Sequence, residues 1–277
     1  MLPTFLIIGA QKAATTTLHQ LLRQHPEVFL PELKETNYLI EQGNLARGRE
    51  WYESLFDPAG DRPHRGEASP GYTMFPHFRG APERAATLMP TARLIYVIRH
   101  PVERMRSAWA QQTGEGLEDR DLVDALLGDS HHIQLSSYGL QTAQWLAHFP
   151  REQLLVLRQE DLRDHPGTVI DQVLQHLGLP TGWRPADLGR AWNVTEDKRL
   201  QRRTLRTVAG MARRSGHELA ARRLGPTGPL GRLARPFRPD DLLLPADLHA
   251  ALTEVFRSDL ALLRSLVGPE LDLWDLA

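Results

Sequence analysis

Cysteine is absent from this sequence of 277 residues, which excludes disulfide bonds and thiolate metal ligands. Long apolar runs are absent too, since no stretch approaches the roughly 20 residues that a membrane-spanning helix needs. The apolar residues near the N-terminus follow no basic flank, so the sequence predicts no signal peptide. Together these absences predict a cytoplasmic protein without stable membrane insertion.

Charge is balanced over the whole chain but uneven along it. The net charge is −1, and a hydrophobic content of 41% allows a sizeable core. Residues 198–238, here called the basic segment, hold twelve Lys or Arg and one acid, Glu218, so the segment carries +11 and the other residues −12. Such a segment is typical either of solvated basic helices or of a surface that binds an anion. Richness in Arg, Ala and Leu also favours a bacterial source.

Short apolar runs alternate with helical patterns along the chain. Three runs predict buried strands of a parallel sheet, at 5–8, 94–98 and 154–157, and residues 65–69 are a fourth, weaker strand candidate. Helical spacing of apolar residues predicts helices near Thr15 and at 81–88, 102–112, 138–149, 167–177 and 248–266. This alternation predicts an α/β fold with a mainly parallel sheet. The Gly- and Pro-rich residues 224–239 predict an irregular loop.

The stretch GAQKAATTTL at 9–18 places one lysine between the first strand and the first helix. Backbone N–H groups at a helix N-terminus are unpaired, and the helix dipole favours an anion there. Lys12 adds a positive charge, and the threonines that follow add hydroxyl donors. The pattern predicts a phosphate-binding loop, although an ordinary turn with a solvated lysine has the same spacing. Ala13 stands where nucleotide triphosphatases carry a magnesium-binding Ser or Thr, so we expect a phosphorylated nucleotide bound without a metal.

A second stretch, LIYVIRHPVERMRSAW at 94–109, combines a strand with a following helix. Arg99 lies at the carboxyl end of the strand, where α/β folds bind ligands. Ser107 comes eight residues later, two turns into the helix. Taken alone, the pair is equally compatible with a surface arginine and a helical serine.

These two stretches, about 85 residues apart, resemble the nucleotide-binding motifs of sulfotransferases, which use 3′-phosphoadenosine-5′-phosphosulfate (PAPS). The resemblance continues in order through most of the chain and is nearest to the bacterial and heparan-type branch, in which a Lys-Glu pair follows the first helix. It implies a P-loop-like three-layer fold with a central parallel sheet flanked by helices. It also implies a single domain over 1–277, with the basic segment as a lid that we expect to be mobile without ligand.

The resemblance assigns roles to individual residues. Lys12, Ala13, Ala14, Thr15 and Thr16 would wrap the 5′-phosphosulfate, and Lys12 would neutralise charge on the bridging oxygen. Arg99 and Ser107 would bind the 3′-phosphate, and Arg199 in the basic segment would bind it as well. Tyr138 would contact the nucleotide. No metal site is implied.

Glu35 matches the catalytic base of the heparan-type branch. An acceptor hydroxyl is a poor nucleophile and gains from a carboxylate that takes its proton. A surface ion pair with Lys34 is the competing interpretation. The acceptor, a small molecule, glycan or glycolipid, would be chosen by loops that we expect at 40–64, 113–137 and 204–240.

Two positions depart from the family pattern. Ala14 stands where the family often has glycine, so we expect an ordinary helix-start backbone there rather than a positive φ. Ala68 stands where heparan-type enzymes often have a lysine, which puts a heparan substrate in doubt. Glu67 and Ser69 remain at the same strand end.

Two other functions compete with sulfuryl transfer. A P-loop kinase for a small metabolite would need magnesium and an acidic ligand after a second strand, and the sequence shows no convincing one. A polyanion-binding protein built on the basic segment would bind with a strong salt dependence. The segment has one aromatic residue, Phe237, so it lacks a stacking platform and we expect no nucleic-acid partner. The oligomeric state stays open.

Overall fold

The computed structural model describes residues 1–190, 192 and 199–274. Its strands are β1 (Phe5–Gly9), β2 (Val28–Phe29), β3 (His64–Ala68), β4 (Arg93–Ile98), β5 (Leu154–Arg158), β6 (Arg199–Leu200) and β7 (Arg235–Pro236). Its helices are α1 (Thr15–Leu22), α2 (Gly48–Ser54), α3 (Ala81–Leu88), α4 (Pro101–Gly114), α5 (Leu122–Gly128), α6 (His131–Ser136), α7 (Tyr138–Leu146), α8 (Gln159–Asp164), α9 (Pro166–Leu177), α10 (Arg203–Arg214), α11 (Glu218–Leu224) and α12 (Ala246–Val267). Across these residues, no helix combines the length and apolar character that crossing a bilayer requires.

Five parallel strands within the described chain form the main sheet, in the order β2-β3-β1-β4-β5. Every residue of β1 is buried, and so is β4 from Leu94 onward, because helices flank the sheet. The predicted α/β fold with a central parallel sheet is confirmed. The four predicted strands lie within one residue of the observed ones. For β1, β4 and β5 the reason is that strands buried in a covered parallel sheet are continuous apolar runs, which the sequence displays directly.

The order of the strands creates a topological switch point at β1. The chain leaves β1 for β2 and β3 on one side and later for β4 and β5 on the other. In open α/β sheets, ligands bind outside the carboxyl ends of the strands at such a point. The three strand ends that meet there lead into the Lys12 loop, into Ser69 and into Arg99.

The chain divides into two compact units, and the sheet lies in the first. This unit comprises Met1–His100, Ser137–Trp192 and Phe256–Ala277. Helix α1 contacts β1 and β3, and α9 contacts β4 and β5. The sheet and its helices thus fix the positions of the strand ends at the switch point.

The second unit comprises Pro101–Ser136 and Asn193–Val255 and contains α4 to α6, α10, α11 and the β6–β7 pair. Helices occupy much of 113–137 and 204–240, which we expected as loops, and α2 occupies part of 40–64. The sequence signal for these short helices is weak because their stability comes from packing. Arg206 illustrates this: its side chain is 6% exposed and donates to Asp121 at 2.6 Å.

Acidic residues of the second unit compensate much of the charge of the basic segment. Arg203 and Arg206 both pair with Asp121, Arg214 pairs with Asp119, and Arg235 pairs with Asp241. Lys198, the first residue of the segment, lies outside the described residues. These ion pairs reduce the charge that the segment can offer to an external anion. Its surface is therefore less positive than its count of Lys and Arg suggests.

Two buried histidines predict that acid destabilises the protein. Burial lowers the pKa of His19 on α1, and that of His132 on α6, from 6.5 to about 4. Between these values the unfolded chain binds protons that the folded protein does not, so stability falls as the pH falls through this interval. The expected slope is at most ~1.4 kcal/mol per pH unit for each histidine.

Urea unfolding at several pH values between 6.5 and about 4 tests this prediction. The variant His19→Leu should lose less stability over the interval than the wild type, because the protonation difference of His19 is removed. Equal slopes for the two proteins would show that His19 is not a source of the acid sensitivity.

Candidate active site

The loop after β1 has an unusual backbone. Lys12 has a φ of 70° and Ala14 a φ of 65°, both in the left-handed region. Our expectation of an ordinary helix-start backbone at Ala14 was wrong, because the chain must turn sharply to enter α1. A left-handed L-residue costs about 1–2 kcal/mol, and such strain persists only where the surrounding structure fixes it. Gly9 is needed just before this turn, since a Cβ there would overlap the Thr73 hydroxyl.

The N-terminus of α1 is suited to an anion. Ala14 occupies the N-cap position, where Ser, Thr, Asp or Asn normally accepts a bond from the first turn, and no side chain caps this helix. The first turn contains no acidic residue. Its N–H groups have no intrahelical acceptors, so a phosphate or sulfate oxygen would satisfy them. Lys12 and Thr16 are half-buried beside this turn.

Three of the predicted residues meet at the switch point. The Arg99 guanidinium donates from Nη1 to the Lys12 carbonyl at 3.3 Å. The Tyr138 hydroxyl donates to the Arg99 carbonyl at 2.6 Å and accepts the Arg99 N–H at 3.4 Å. Tyr138 is fully buried, so in this structure it holds the backbone of Arg99. Its predicted contact with a nucleotide stays a prediction.

Asp259 on α12 supports Tyr138, although the sequence did not single this residue out. Its carboxylate oxygens accept the N–H groups of Gly139 and Leu140 at 2.8 and 2.9 Å, which caps α7 at its first residues. A Cβ at Gly139 would overlap the backbone of this part of α12, so glycine is required there. A bond between residues 120 positions apart leaves no local signal in the sequence.

Glu35 lies next to the end of β3. Its N–H donates to the Ala68 carbonyl at 3.0 Å, and its side chain is 50% exposed. The ion pair with Lys34 that competes with a catalytic role is present, with Nζ 2.6 Å from Oε1. A carboxylate offers about four lone-pair sites, so this ion pair leaves capacity for an acceptor proton.

Ser107 and Arg199 belong to the second unit. Ser107 lies on α4 and is 4% exposed, whereas Arg199 is exposed on β6, opposite Pro236 of β7. Their assignment to the 3′-phosphate stays a prediction. The site described here therefore consists of the Lys12 loop, Arg99, Tyr138 and the Glu35 loop, all in the first unit.

The chain matches the sulfotransferase domain family over residues 2–209, about three quarters of its length. It belongs to this family. The match includes both stretches that carried the resemblance and the strands that border the switch point. A sulfotransferase domain of this family uses PAPS as its donor, in agreement with an anion site at α1.

Known relatives of this sulfotransferase domain include two human proteins. It is 30% identical over 204 residues to bifunctional heparan sulfate N-deacetylase/N-sulfotransferase 3, covering 64% of this chain and 22% of that protein. It is 30% identical over 191 residues to heparan sulfate glucosamine 3-O-sulfotransferase 3B1, covering 64% of this chain and 46% of that protein. The chain thus spans between about a fifth and about half of these curated relatives.

A solved structure supports the fold over nearly the full length. The sulfotransferase from Alicyclobacillus acidocaldarius superposes with a TM-score of 0.70 at 22% identity, and the match covers 96% of each chain. At this identity the similarity establishes the fold of the sulfotransferase domain.

Proposed function

We propose that this protein transfers the sulfuryl group of PAPS to a hydroxyl of a small-molecule, glycan or glycolipid acceptor. The observation that carries the proposal is the Arg99–Lys12 contact at the switch point. It brings the two stretches predicted to bind the two ends of the nucleotide into one place. The proposal includes the cytoplasmic location and bacterial source that the sequence predicts.

The residues of the site suit the donor. PAPS supplies an activated sulfuryl group, with adenosine 3′,5′-bisphosphate as the leaving group. The first-turn amides of α1 and the Lys12 ammonium would hold its sulfate and 5′-phosphate oxygens, and Lys12 would stabilise charge on the leaving oxygen. Arg99, with a planar guanidinium, would bind the 3′-phosphate through two parallel hydrogen bonds.

Glu35 would take the proton of the acceptor hydroxyl. Its half-exposed side chain is open to an acceptor from solvent, and the backbone bond to Ala68 places it at the end of β3, next to β1. Transfer of this kind depends on positioning and on charge stabilisation, because the attacking oxygen, sulfur and leaving oxygen must lie in line. The relatives named for heparan sulfate suggest a glycan acceptor, whereas Ala68 argues against heparan sulfate itself.

Calorimetry in the presence of EDTA tests the donor site. Adenosine 3′,5′-bisphosphate should bind much more tightly than adenosine 5′-monophosphate, because only the former has a phosphate for Arg99. The variant Arg99→Ala should weaken binding of the bisphosphate about 30-fold, equivalent to about 2 kcal/mol, and leave binding of the monophosphate nearly unchanged.

Arg93→Ala, at the opposite end of β4, is the matched control and should bind both nucleotides like the wild type. A requirement for magnesium would favour the kinase interpretation. Equal affinities for the two nucleotides, together with salt-sensitive binding of polyanions, would favour the polyanion-binding interpretation.

A further inference from the structure

Glu67 is a buried carboxylate that the proposed transfer does not use directly. It lies near the carboxyl end of β3 with 1% of its surface exposed. Hydroxyl groups surround both of its oxygens. Tyr52 and Tyr72 each donate to Oε1 at 2.7 Å, Ser69 donates to Oε2 at 3.1 Å, and Thr36 also donates to Oε2. Burying a carboxylate costs free energy, and hydrogen bonds to both oxygens fix its orientation. A functional reason for this arrangement is therefore expected.

Three of these four hydroxyls also hold the loop that carries Glu35. A hydroxyl that gives its proton to Glu67 keeps its oxygen lone pairs for other donors. Three consecutive loop amides use them: Asn37 N to Ser69 Oγ at 3.1 Å, Tyr38 N to Thr36 Oγ1 at 3.3 Å, and Leu39 N to Tyr72 Oη at 3.3 Å. The carboxylate thus sets the direction of the hydroxyls, and the hydroxyls set the path of the loop.

The backbone of the loop needs this support. Glu35 has a φ of 64° and Asn37 a φ of 47°, so two non-glycine residues on either side of Thr36 are left-handed. Such residues persist only where their surroundings fix them. On the N-terminal side of Thr36, Glu35 is fixed by its bond to Ala68, the neighbour of Glu67. On the other side, the hydroxyls bound to Glu67 supply the fixation.

We propose that Glu67 is a positioning residue, whose carboxylate orients the hydroxyls of Thr36, Ser69 and Tyr72 so that the loop presents Glu35 to the acceptor. This inference rests on the proposed function, because the rate effect of Glu67 is assigned to Glu35 as the base. The effect on the loop itself does not depend on any acceptor.

Replacing Glu67 with glutamine tests whether the carboxylate sets the direction in which the hydroxyl protons point. Glutamine has the same shape, but its amide nitrogen donates where a carboxylate oxygen accepts. At least one hydroxyl that holds the loop then loses its acceptor at residue 67, so its proton is no longer fixed in the direction that leaves a lone pair facing the loop N–H. Burial raises the pKa of Glu67 against the opposing effect of the four hydroxyl donors, so mild acid should loosen the loop in the same way.

Hydrogen exchange measures the loop directly. In Glu67→Gln, amides of 37–39 should exchange about tenfold faster or more than in the wild type, because the hydroxyl bonds that protect them are lost. Amides of the strands at 5–9 and 93–98 should be unchanged. Wild-type exchange at 37–39 in this variant would overturn the proposal.

Two tyrosines provide a matched pair that does not depend on the glutamine variant folding. Tyr52 and Tyr72 are both buried and donate to the same oxygen at the same distance, but only Tyr72 accepts a loop amide. Tyr72→Phe should therefore accelerate exchange at Leu39, and Tyr52→Phe should leave it nearly unchanged. Equal acceleration in both variants would overturn the proposal, because it would indicate general loosening.

Kinetics connects the loop to the reaction. Glu67→Gln should lower kcat about 10-fold to 100-fold and leave the affinity for adenosine 3′,5′-bisphosphate within about twofold, since the Lys12 loop is untouched. In the Glu35→Gln variant, adding Glu67→Gln should cause no further loss of kcat, because Glu67 acts through Glu35. Losses of kcat that add in the double variant would overturn the proposal. If the wild type bound no bisphosphate, the proposed function would fail, while the exchange results would still decide the role of Glu67 in the loop.

Discussion

Replacing Lys12 with methionine should lower kcat for sulfuryl transfer by about 10²–10³-fold. Removal of one preorganised group that stabilises developing charge typically has an effect of this size. Methionine keeps a long apolar stem but has no charge to place on the leaving oxygen. Lys12 is half-buried and its backbone is already held by Arg99, so the fold of the loop should survive the change.

Single-turnover rates with saturating PAPS measure this effect apart from binding. Arg23→Met is the control, because Arg23 is an exposed cation just after the other end of α1, and its turnover should equal that of the wild type. If Lys12→Met reduced only the affinity for PAPS and left the single-turnover rate unchanged, Lys12 would be a binding residue without a role in the transition state.

Replacing Glu35 with glutamine should lower kcat by about 10²–10⁴-fold, the range expected when a general base is lost. Glutamine keeps the shape of the side chain but cannot accept the proton of the acceptor hydroxyl. The affinity for adenosine 3′,5′-bisphosphate should stay near that of the wild type. A panel of sugars, phenols and glycolipids screened with PAPS would first identify an acceptor.

Two variants separate a base from a surface ion pair. Lys34→Met removes the partner of Glu35 but leaves the carboxylate, so it should retain most of the turnover if Glu35 is the base. Glu32→Gln removes an exposed carboxylate of the same stretch and should behave like the wild type. If Lys34→Met matched the loss in Glu35→Gln, the ion pair rather than proton transfer would explain the effect.

The meeting of Lys12 and Arg99 could be expected from the sequence, because both lie in loops that follow buried apolar runs. Parallel strands bring such ends to one edge of a sheet. The Glu67 cluster could not be predicted in this way. Its members come from separate parts of the chain, and bonds such as Thr36 to Glu67 depend on which strands are neighbours.

The sequence by itself determined the parallel α/β fold and the limits of β1, β4 and β5, because burial in a covered parallel sheet requires continuous apolar runs. The stretches at 9–18 and 94–109 indicated the family. It also marked Lys12, Arg99 and Glu35 as candidates through residue type and position.

Only the tertiary structure decided the left-handed backbone at Ala14, the bond of Arg99 to the Lys12 carbonyl, and the hydroxyls around Glu67. The ion pairs of Asp119 and Asp121 with arginines of the basic segment were also visible only in the tertiary structure. The physical reason is the same in each case: these features depend on contacts between residues far apart in the chain, and local composition and periodicity carry no record of them.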